Sequence, residues 1–322
     1  MSTVFITDYA WPDVEIERAV IEGAGFELAA GPAAPAPAAQ IEAWVEKYRP
    51  VGILTNWAQV SARAIRSSPG LKIVARLGVG LDNIAVDEAT ARGIWVTNVP
   101  DYCFEEVSDH SVGMLLAFTR GLVHFDREIR AGRWEPSTAR LRRMRTLTVG
   151  ILGFGRIGRS TAQKLKGFGA HVLAYTRTAS AEDSREIEFV GLDELLRRSD
   201  ALIVHIPLTP QTKHLLDRER LASMKPGAFL INVSRGGVID TNALIDALRS
   251  GQIGGAALDV LENEPNVPPE LLTLPNVLLT PHIAFTSDAS LRELRQWASE
   301  EVVRVLRGER PKQARNSPAG IG

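Results

Sequence analysis

Short apolar runs alternate with amphipathic segments along the chain, and this alternation predicts repeated strand and helix units. In the N-terminal part, the segments between the apolar runs carry apolar side chains at helical intervals. The predicted strands there span residues 3–7, 26–29, 51–55, 71–77 and 94–97. Alternating strands and helices favour a small parallel sheet with helices on both faces.

The pattern changes after residue 100. One long helix is predicted over residues 105–131, with apolar positions that exceed a single face. A last amphipathic helix over residues 287–307 has no strand after it, so we expect it to pack back on the first sheet. Between these helices, strands are predicted at residues 149–152, 171–175, 201–205, 228–233, 255–259 and 277–279.

These elements predict an α/β fold with two Rossmann-like, doubly wound parallel-sheet domains, of which the substrate domain is discontinuous. The expected substrate domain comprises residues 1–99 and 286–322. Residues 100–285 are expected to form the dinucleotide-binding domain.

Three glycines, Gly153, Gly155 and Gly158, are spaced as GxGxxG between a predicted strand and a predicted helix. In this context the first glycine allows the tight turn, the second lets the backbone approach a pyrophosphate, and the third lets the helix pack closely on the strand. The helix N-terminus then faces the phosphates. The motif predicts a dinucleotide site that also includes the intervening residues Phe154, Arg156 and Ile157.

The composition is that of a globular protein whose partners are small molecules. The 322 residues are 45% apolar and carry a net charge of -1 with both signs interspersed, which argues against binding to nucleic acid or to an anionic membrane. No apolar run reaches the roughly 18 residues needed to span a bilayer. A single cysteine, Cys103, and an N-terminus unlike a signal peptide predict a cytoplasmic protein. The histidines form no HxH or HxxxH cluster, so no metal is predicted.

Three chemically suggestive residues, Arg235, Glu264 and His282, each come shortly after a predicted strand. Ligands of open parallel sheets bind beyond the carboxyl ends of the strands. An arginine can hold a carboxylate, a histidine can transfer a proton, and a carboxylate can orient the imidazole and stabilise its charged form. Beside a nicotinamide, these groups could reduce a 2-oxo acid. Each also has an ordinary interpretation: Arg235 and Glu264 as solvated loop charges, and His282 as a hydrogen-bonded structural residue.

The chain resembles the D-isomer-specific 2-hydroxyacid dehydrogenases through motifs that follow the order of that family over nearly the whole length. The motifs are RLGVGLDNI (76–84), TNVPDY (97–102), ILGFGRIG (151–158), HIPLTPQT (205–212), NVSRGGVID (232–240), ALDVLENEP (257–265) and TPHIA (280–284). The resemblance implies hydride transfer between NAD(P)H and a 2-oxo acid or D-2-hydroxy acid. It also implies that Arg235, Glu264 and His282 are the catalytic residues.

The resemblance implies binding roles as well. The backbone N–H groups of Val79 and Gly80, together with Arg235, are expected to hold the substrate carboxylate, and Asp259 is expected to contact the nicotinamide carboxamide. Further cofactor contacts are expected from His205, Pro207, Thr212, Val233, Ser234 and His282.

Two segments, residues 99–110 and 281–294, are similar in particular to the branch that contains C-terminal-binding proteins and phosphoglycerate-dehydrogenase-like members. This likeness leaves a second functional class open, a nucleotide-sensing corepressor or scaffold with little turnover. Phe285 stands where many members carry glycine. Two interpretations remain: Phe285 forms a wall of the substrate pocket, or it packs at the domain hinge.

The residues after the predicted strand 171–175 bear on cofactor choice. NAD-binding members of this fold carry a carboxylate there for the ribose 2′-hydroxyl, whereas this chain has Thr176, Arg177 and Thr178. A guanidinium and two hydroxyls could bind a 2′-phosphate, so we expect NADP in preference to NAD. The alternative is that Arg177 is a solvated charge in an enzyme that uses NAD weakly or indifferently.

The resemblance also suggests a homodimer built on the predicted helix 105–131 and the arm around Trp134. Phe118, Leu122 and Phe125 on that helix need cover, which the same surface of a second copy could supply. The alternative is that the helix is central to its own domain.

Overall fold

The computed structural model describes residues 1–177 and 187–318. The chain divides into two compact units: unit 1 comprises Met1–Tyr102 and Ser287–Gly322, and unit 2 comprises Cys103–Thr286. Each unit contains a parallel sheet with helices, which confirms the predicted fold class. The predicted assignment of a substrate domain and a dinucleotide-binding domain stays a prediction.

Unit 1 is built on a five-stranded parallel sheet in the order β2-β1-β3-β4-β5. The strand order reverses between β1 and β3. In sheets of this kind, ligands commonly bind at the carboxyl ends of the strands beside such a reversal. Its strands are β1 (Thr3–Ile6), β2 (Glu27–Ala30), β3 (Gly52–Thr55), β4 (Ile73–Arg76) and β5 (Trp95–Thr97). Its helices are α1 (Glu15–Gly23), α2 (Ala38–Tyr48), α3 (Ala62–Arg66), α4 (Val86–Ala91) and, from the C-terminal part, α12 (Asp288–Leu306).

Helix α12 joins unit 1 through a buried ion pair. The Nε atom of Arg295 lies 3.0 Å from Oε1 of Glu17, which is fully buried, and Nη2 of Arg295 lies 2.8 Å from Oδ1 of Asp13. Burial alone would lower the pKa of Arg295, but its hydrogen bonds to Glu17 and Asp13 and their negative charges outweigh burial and raise that pKa. The last helix therefore completes the unit that the N-terminal residues begin, and unit 1 is discontinuous as predicted.

Unit 2 is built on a seven-stranded parallel sheet in the order β12-β11-β10-β9-β6-β7-β8. The order reverses between β6 and β9. Its strands are β6 (Thr148–Leu152), β7 (His171–Tyr175), β8 (Glu188–Phe189), β9 (Ala201–Val204), β10 (Ala228–Asn232), β11 (Ile253–Leu258) and β12 (Val277–Leu279). Its described helices are α5 (Phe104–Thr119), α6 (Leu122–Arg130), α7 (Arg156–Gly167), α8 (Leu192–Arg198), α9 (Arg218–Ser223), α10 (Thr241–Arg249) and α11 (Pro269–Thr273).

The single helix predicted over residues 105–131 is wrong, because the chain forms two helices, α5 and α6, separated at Gly121. Gly121 has φ +62°, and an added Cβ there would lie 2.9 Å from the Phe125 ring. Phe118 also needs less cover from a second copy than expected, since it stacks on Phe229 of its own unit at a centroid distance of 5.1 Å. The exposed apolar side chains are instead on α6 and the residues after it: Leu122, Ile129 and Trp134.

Two further features concern the described residues only. None of their helices is long and apolar enough to cross a bilayer. Their His, Cys, Asp and Glu side chains form no group of three or more that could hold a metal ion. The single cysteine, Cys103, is buried.

Candidate active site

The glycine-rich turn connects β6 to α7. Gly153 has φ +103°, and a Cβ there would lie 2.7 Å from the carbonyl oxygen of His205. A Cβ on Gly158 would lie 2.2 Å from the Gly153 carbonyl oxygen, so only glycine allows this approach of helix to turn. At Gly155, by contrast, an added Cβ would meet no described atom within 4 Å. The backbone at the start of α7 is thus open, and the N–H groups of the first helical turn fit the pyrophosphate of a dinucleotide.

His205 directly follows β9 and lies beside this turn. Its Nε2 atom lies 3.0 Å from Oγ1 of Thr161, whose hydroxyl donates to the Ile157 carbonyl at 2.9 Å. Because the Thr161 proton is committed, its oxygen accepts from His205, which places the imidazole proton on Nε2. Burial lowers the pKa of His205 to about 3. His205 is therefore neutral at pH 7 and holds the end of β9 against α7.

The loop after His205 contains two of the predicted cofactor residues, Pro207 and Thr212. The Thr212 hydroxyl donates to the Pro207 carbonyl at 2.6 Å and accepts from the Thr209 N–H at 2.7 Å. Thr212 therefore stabilises the conformation of this loop through hydrogen bonds within the loop.

The residues expected to select the cofactor follow β7. Thr176 is partly buried and Arg177 is exposed. Thr178 lies outside the described residues.

His282 and Glu264 form the central pair of the candidate site. Nδ1 of His282 lies 2.7 Å from Oε2 of Glu264, and the Leu261 N–H donates to Oε1 of Glu264 at 2.9 Å. Burial alone would raise the pKa of Glu264, but the hydrogen bond and charge of His282, the Leu261 N–H and the charge of Arg235 together hold that pKa below its usual value. Glu264 is consequently a carboxylate at neutral pH. It accepts a hydrogen bond from the Nδ1–H group and so fixes the orientation of the imidazole.

Arg235 lies on a loop that Asn232 organises, and Asn232 is a residue without a role in the sequence prediction. The Asn232 Nδ2 group donates to the Arg235 carbonyl at 2.9 Å, and its Oδ1 accepts from the Ser234 N–H at 3.0 Å. Next to Arg235, a Cβ on Gly236 would lie 1.9 Å from the Leu261 carbonyl carbon. The loops that carry Arg235 and Glu264 are therefore in backbone contact. Val233, the other predicted cofactor residue here, is buried.

Asp259 holds the loop that carries His282. Its Oδ1 accepts from the Thr280 hydroxyl at 2.5 Å and the Ile283 N–H at 2.9 Å, and its Oδ2 accepts from the Ala284 N–H at 2.9 Å. The side chain is 2% exposed. These bonds fix a loop in which His282 has φ +54°, an unfavourable conformation for a residue other than glycine. The expected contact of Asp259 with the carboxamide stays a prediction.

Two residues that the sequence analysis did not single out extend this arrangement. Nε2 of His110, on α5, lies 3.1 Å from the Thr280 hydroxyl oxygen. Thr280 donates its own proton to Asp259, so Nε2 of His110 is the donor in this contact. The only sequence signal for Thr280 was its place between a strand end and His282.

Phe285 is partly buried, and its ring meets the His282 ring edge to face at a centroid distance of 6.0 Å. Its ring therefore borders the imidazole. Val79 and Gly80 follow β4 in unit 1, whereas the other candidate residues belong to unit 2.

A family model described as "D-isomer specific 2-hydroxyacid dehydrogenase, NAD binding domain" matches residues 112–284. The chain belongs to the D-isomer-specific 2-hydroxyacid dehydrogenase family. The glyoxylate reductase of Thermococcus litoralis is 40% identical over 278 residues, which is 83% of this chain and 84% of the relative.

Solved structures agree with this membership. A Thermus thermophilus protein matches with a TM-score of 0.89 at 34% identity, over 97% of this chain and 99% of its own. The NADPH-dependent glyoxylate/hydroxypyruvate reductase of Sinorhizobium meliloti, solved with NADP and malonate, has a TM-score of 0.84 at 33% identity and covers 97% of this chain and 96% of its own.

Membership in the 2-hydroxyacid dehydrogenase family makes the protein an NAD(P)-dependent oxidoreductase. It transfers hydride between a nicotinamide cofactor and a small 2-oxo or 2-hydroxy acid. A corepressor or scaffold without turnover, the second class that the sequence left open, is not favoured.

Proposed function

We propose that the protein reduces a small 2-oxo acid with NADPH and that His282 supplies the proton. The observation that carries this proposal is the His282–Glu264 pair, because a carboxylate 2.7 Å from Nδ1 directs the opposite nitrogen, Nε2, toward a substrate oxygen. A bound dihydronicotinamide would supply the hydride. Unit 2 is then the dinucleotide-binding domain and unit 1 the substrate domain.

The remaining roles follow from charge. As an imidazolium, His282 can donate its Nε2 proton to the oxygen that becomes the alcohol, and the Glu264 carboxylate stabilises that cation before transfer. Arg235 is suited to hold the substrate carboxylate, since a guanidinium offers paired donors to two oxygens. The N–H groups of Val79 and Gly80 are proposed as its second anchor.

The substrate is proposed to be short, of the glyoxylate or hydroxypyruvate type. The Phe285 ring borders the His282 ring, and we propose it as a wall that limits the size of the substrate side chain. The names of the similar glyoxylate reductases point in the same direction.

NADPH is favoured on charge grounds, because Arg177 is exposed after β7 and can meet a 2′-phosphate. The Sinorhizobium relative is described as NADPH-dependent. The same position in an NAD-specific site needs an acceptor for the ribose hydroxyls, and neither Thr176 nor Arg177 is a carboxylate.

The test is a panel of 2-oxo acids of increasing side-chain size, assayed by dihydronicotinamide absorbance with NADPH and with NADH. We expect glyoxylate or hydroxypyruvate with NADPH to give the highest kcat/KM. Arg177→Ala should weaken the binding of NADPH about tenfold and leave the binding of NADH nearly unchanged. A tenfold loss is the lower end for a charge-assisted hydrogen bond, and we expect it because the side chain is exposed. Thr176→Asp should reverse the preference by repelling the phosphate. Equal losses with both cofactors would contradict the phosphate-binding role of Arg177.

We further propose a homodimer formed by α6 and the arm that follows it. Leu122, Ile129 and Trp134 are 59%, 48% and 80% exposed, so three large apolar side chains face solvent in one short stretch. An isologous two-fold interface would bury the same patch on both copies.

Light scattering should then give twice the chain mass of 35.1 kDa. The double variant Leu122→Lys, Ile129→Lys should shift the mass to that of one chain, because buried ammonium groups would oppose association. Phe168→Lys is the control, since Phe168 is an exposed apolar residue on a different helix end. A wild-type protein with the mass of one chain would leave α6 as a surface helix.

We also propose that the protein is located in the cytoplasm.

A further inference from the structure

The chain after α12 covers the open edge of the small sheet. We name residues 313–316 the C-terminal clasp. The Arg315 N–H donates to the Val96 carbonyl at 2.8 Å, and the Asn316 Oδ1 accepts from the Val96 N–H at 2.8 Å. Ala314 forms an antiparallel bridge with Thr97. The clasp therefore pairs with β5 as an added strand would.

One side chain of the clasp reaches beyond β5. Nε of Arg315 donates to Oδ1 of Asn98 at 2.5 Å, and Nδ2 of Asn98 donates to the Val79 carbonyl at 2.5 Å. A guanidinium can only donate and a carbonyl can only accept, so the orientation of the Asn98 amide is fixed by its two partners. Asn98 is 6% exposed, which protects both bonds from water.

The two peptide planes before Gly80 are held from the same side. The Val99 N–H donates to the Gly78 carbonyl at 3.0 Å, and Asn98 holds the Val79 carbonyl. In a trans peptide the C=O and the following N–H point in opposite directions. The N–H groups of Val79 and Gly80 therefore both point away from residues 98 and 99, on the same side of the backbone.

These two N–H groups are available to a ligand. Within residues 1–177 and 187–318, neither the Val79 nor the Gly80 N–H donates a hydrogen bond. Two adjacent amide donors on one side of the backbone form a concavity suited to an anion. They follow β4, at the carboxyl end of the sheet where ligands of such folds bind.

We propose that Asn98, locked by Arg315 of the C-terminal clasp, is a positioning residue for the carboxylate of the oxo acid. It acts through the Val79 carbonyl by turning the Gly80 N–H toward the carboxylate. This inference rests on the proposed function, in which Val79 and Gly80 bind the substrate.

The test is Asn98→Asp. Aspartate has the same shape and still pairs with Arg315, but it presents an oxygen to the Val79 carbonyl and repels it. We expect KM for glyoxylate, and the dissociation constant of the inert analogue oxamate in the presence of NADPH, to rise about 10- to 100-fold, the range for a lost hydrogen bond to a charged group. The dissociation constant of NADPH should stay unchanged. Arg315→Ala should raise KM by less, because Asn98 keeps its hydrogen bond to the Val79 carbonyl but loses the hydrogen bond from Arg315 that fixes its amide orientation.

The matched control is Asn316→Ala, which removes clasp bonds to Val96, Ile94 and Thr90 without touching Asn98. Its KM should equal that of the wild type. An equal rise in KM for Asn316→Ala and Asn98→Asp, or no rise in Asn98→Asp and Arg315→Ala, would overturn the positioning role. Failure of the proposed function would look different, since Arg235→Ala would then also leave KM and oxamate binding unchanged.

Discussion

Replacement of His282 with alanine is expected to lower kcat for 2-oxo acid reduction by about 10²- to 10⁴-fold, the usual contribution of a positioned general acid. The imidazole is the group that Glu264 orients through its 2.7 Å contact with Nδ1, and alanine leaves the substrate oxygen without the proposed proton donor. The measurement is the single-turnover rate of dihydronicotinamide oxidation under saturating glyoxylate. NADPH affinity should change little, because the glycine-rich turn at α7 is intact.

Glu264→Gln is the matched variant. Glutamine can still accept the Leu261 N–H at the position of Oε1, but it carries no charge to stabilise an imidazolium. We expect its kcat to fall less than that of His282→Ala. If His282→Ala retains near-normal turnover, His282 is not the acid.

The second large effect concerns stability. Arg295→Met should lower the free energy of unfolding of unit 1 by about 3–5 kcal/mol, since it leaves the buried Glu17 carboxylate without its counter-charge. Tryptophan fluorescence during urea unfolding is a suitable measurement. Unit 1 contains five of the six tryptophans: Trp11, Trp44, Trp57, Trp95 and Trp297.

Two variants separate the buried pair from surface charges. Arg18→Met removes an exposed i,i+4 partner of Glu22 on α1 and should cost less than about 1 kcal/mol. The double variant Arg295→Met, Glu17→Met should recover most of the stability lost in Arg295→Met, because apolar residues can replace a buried ion pair. A cost for Arg295→Met as small as that for Arg18→Met would mean that water reaches Glu17.

The strand pattern was predictable because strands buried on both faces form continuous apolar runs. The predicted strand at residues 171–175 coincides with β7, and the predicted strand at 277–279 coincides with β12. The two-residue strand β8 (Glu188–Phe189) was missed, since two residues carry no periodicity. The break at Gly121 was missed because a glycine within an apolar helical pattern can be accommodated in a helix, and only the left-handed φ reveals the end.

The sequence could single out candidate residues where their position next to a strand end sufficed. That His282 and Glu264 are within hydrogen-bond distance of each other agrees with what their place after strands suggested. Asn232, Thr280 and Asn98 were not recognised, because their role lies in bonds to backbone groups of other segments, and no sequence spacing reveals these. The contact between Arg315 and Asn98 joins residues 217 positions apart, beyond the reach of any local pattern.

The discontinuity of unit 1 has a consequence for biosynthesis. When the ribosome has added residue 286, every residue of unit 2 exists, whereas unit 1 still lacks α12 and the clasp. At that moment Glu17 has no guanidinium to pair with, and the edge of β5 is uncovered. Exposed strand edges and unfilled cores are the states in which nascent chains aggregate. The N-terminal part of unit 1 is thus made before unit 2 but completed after it, and it stays prone to aggregation for the whole time that unit 2 is being synthesised.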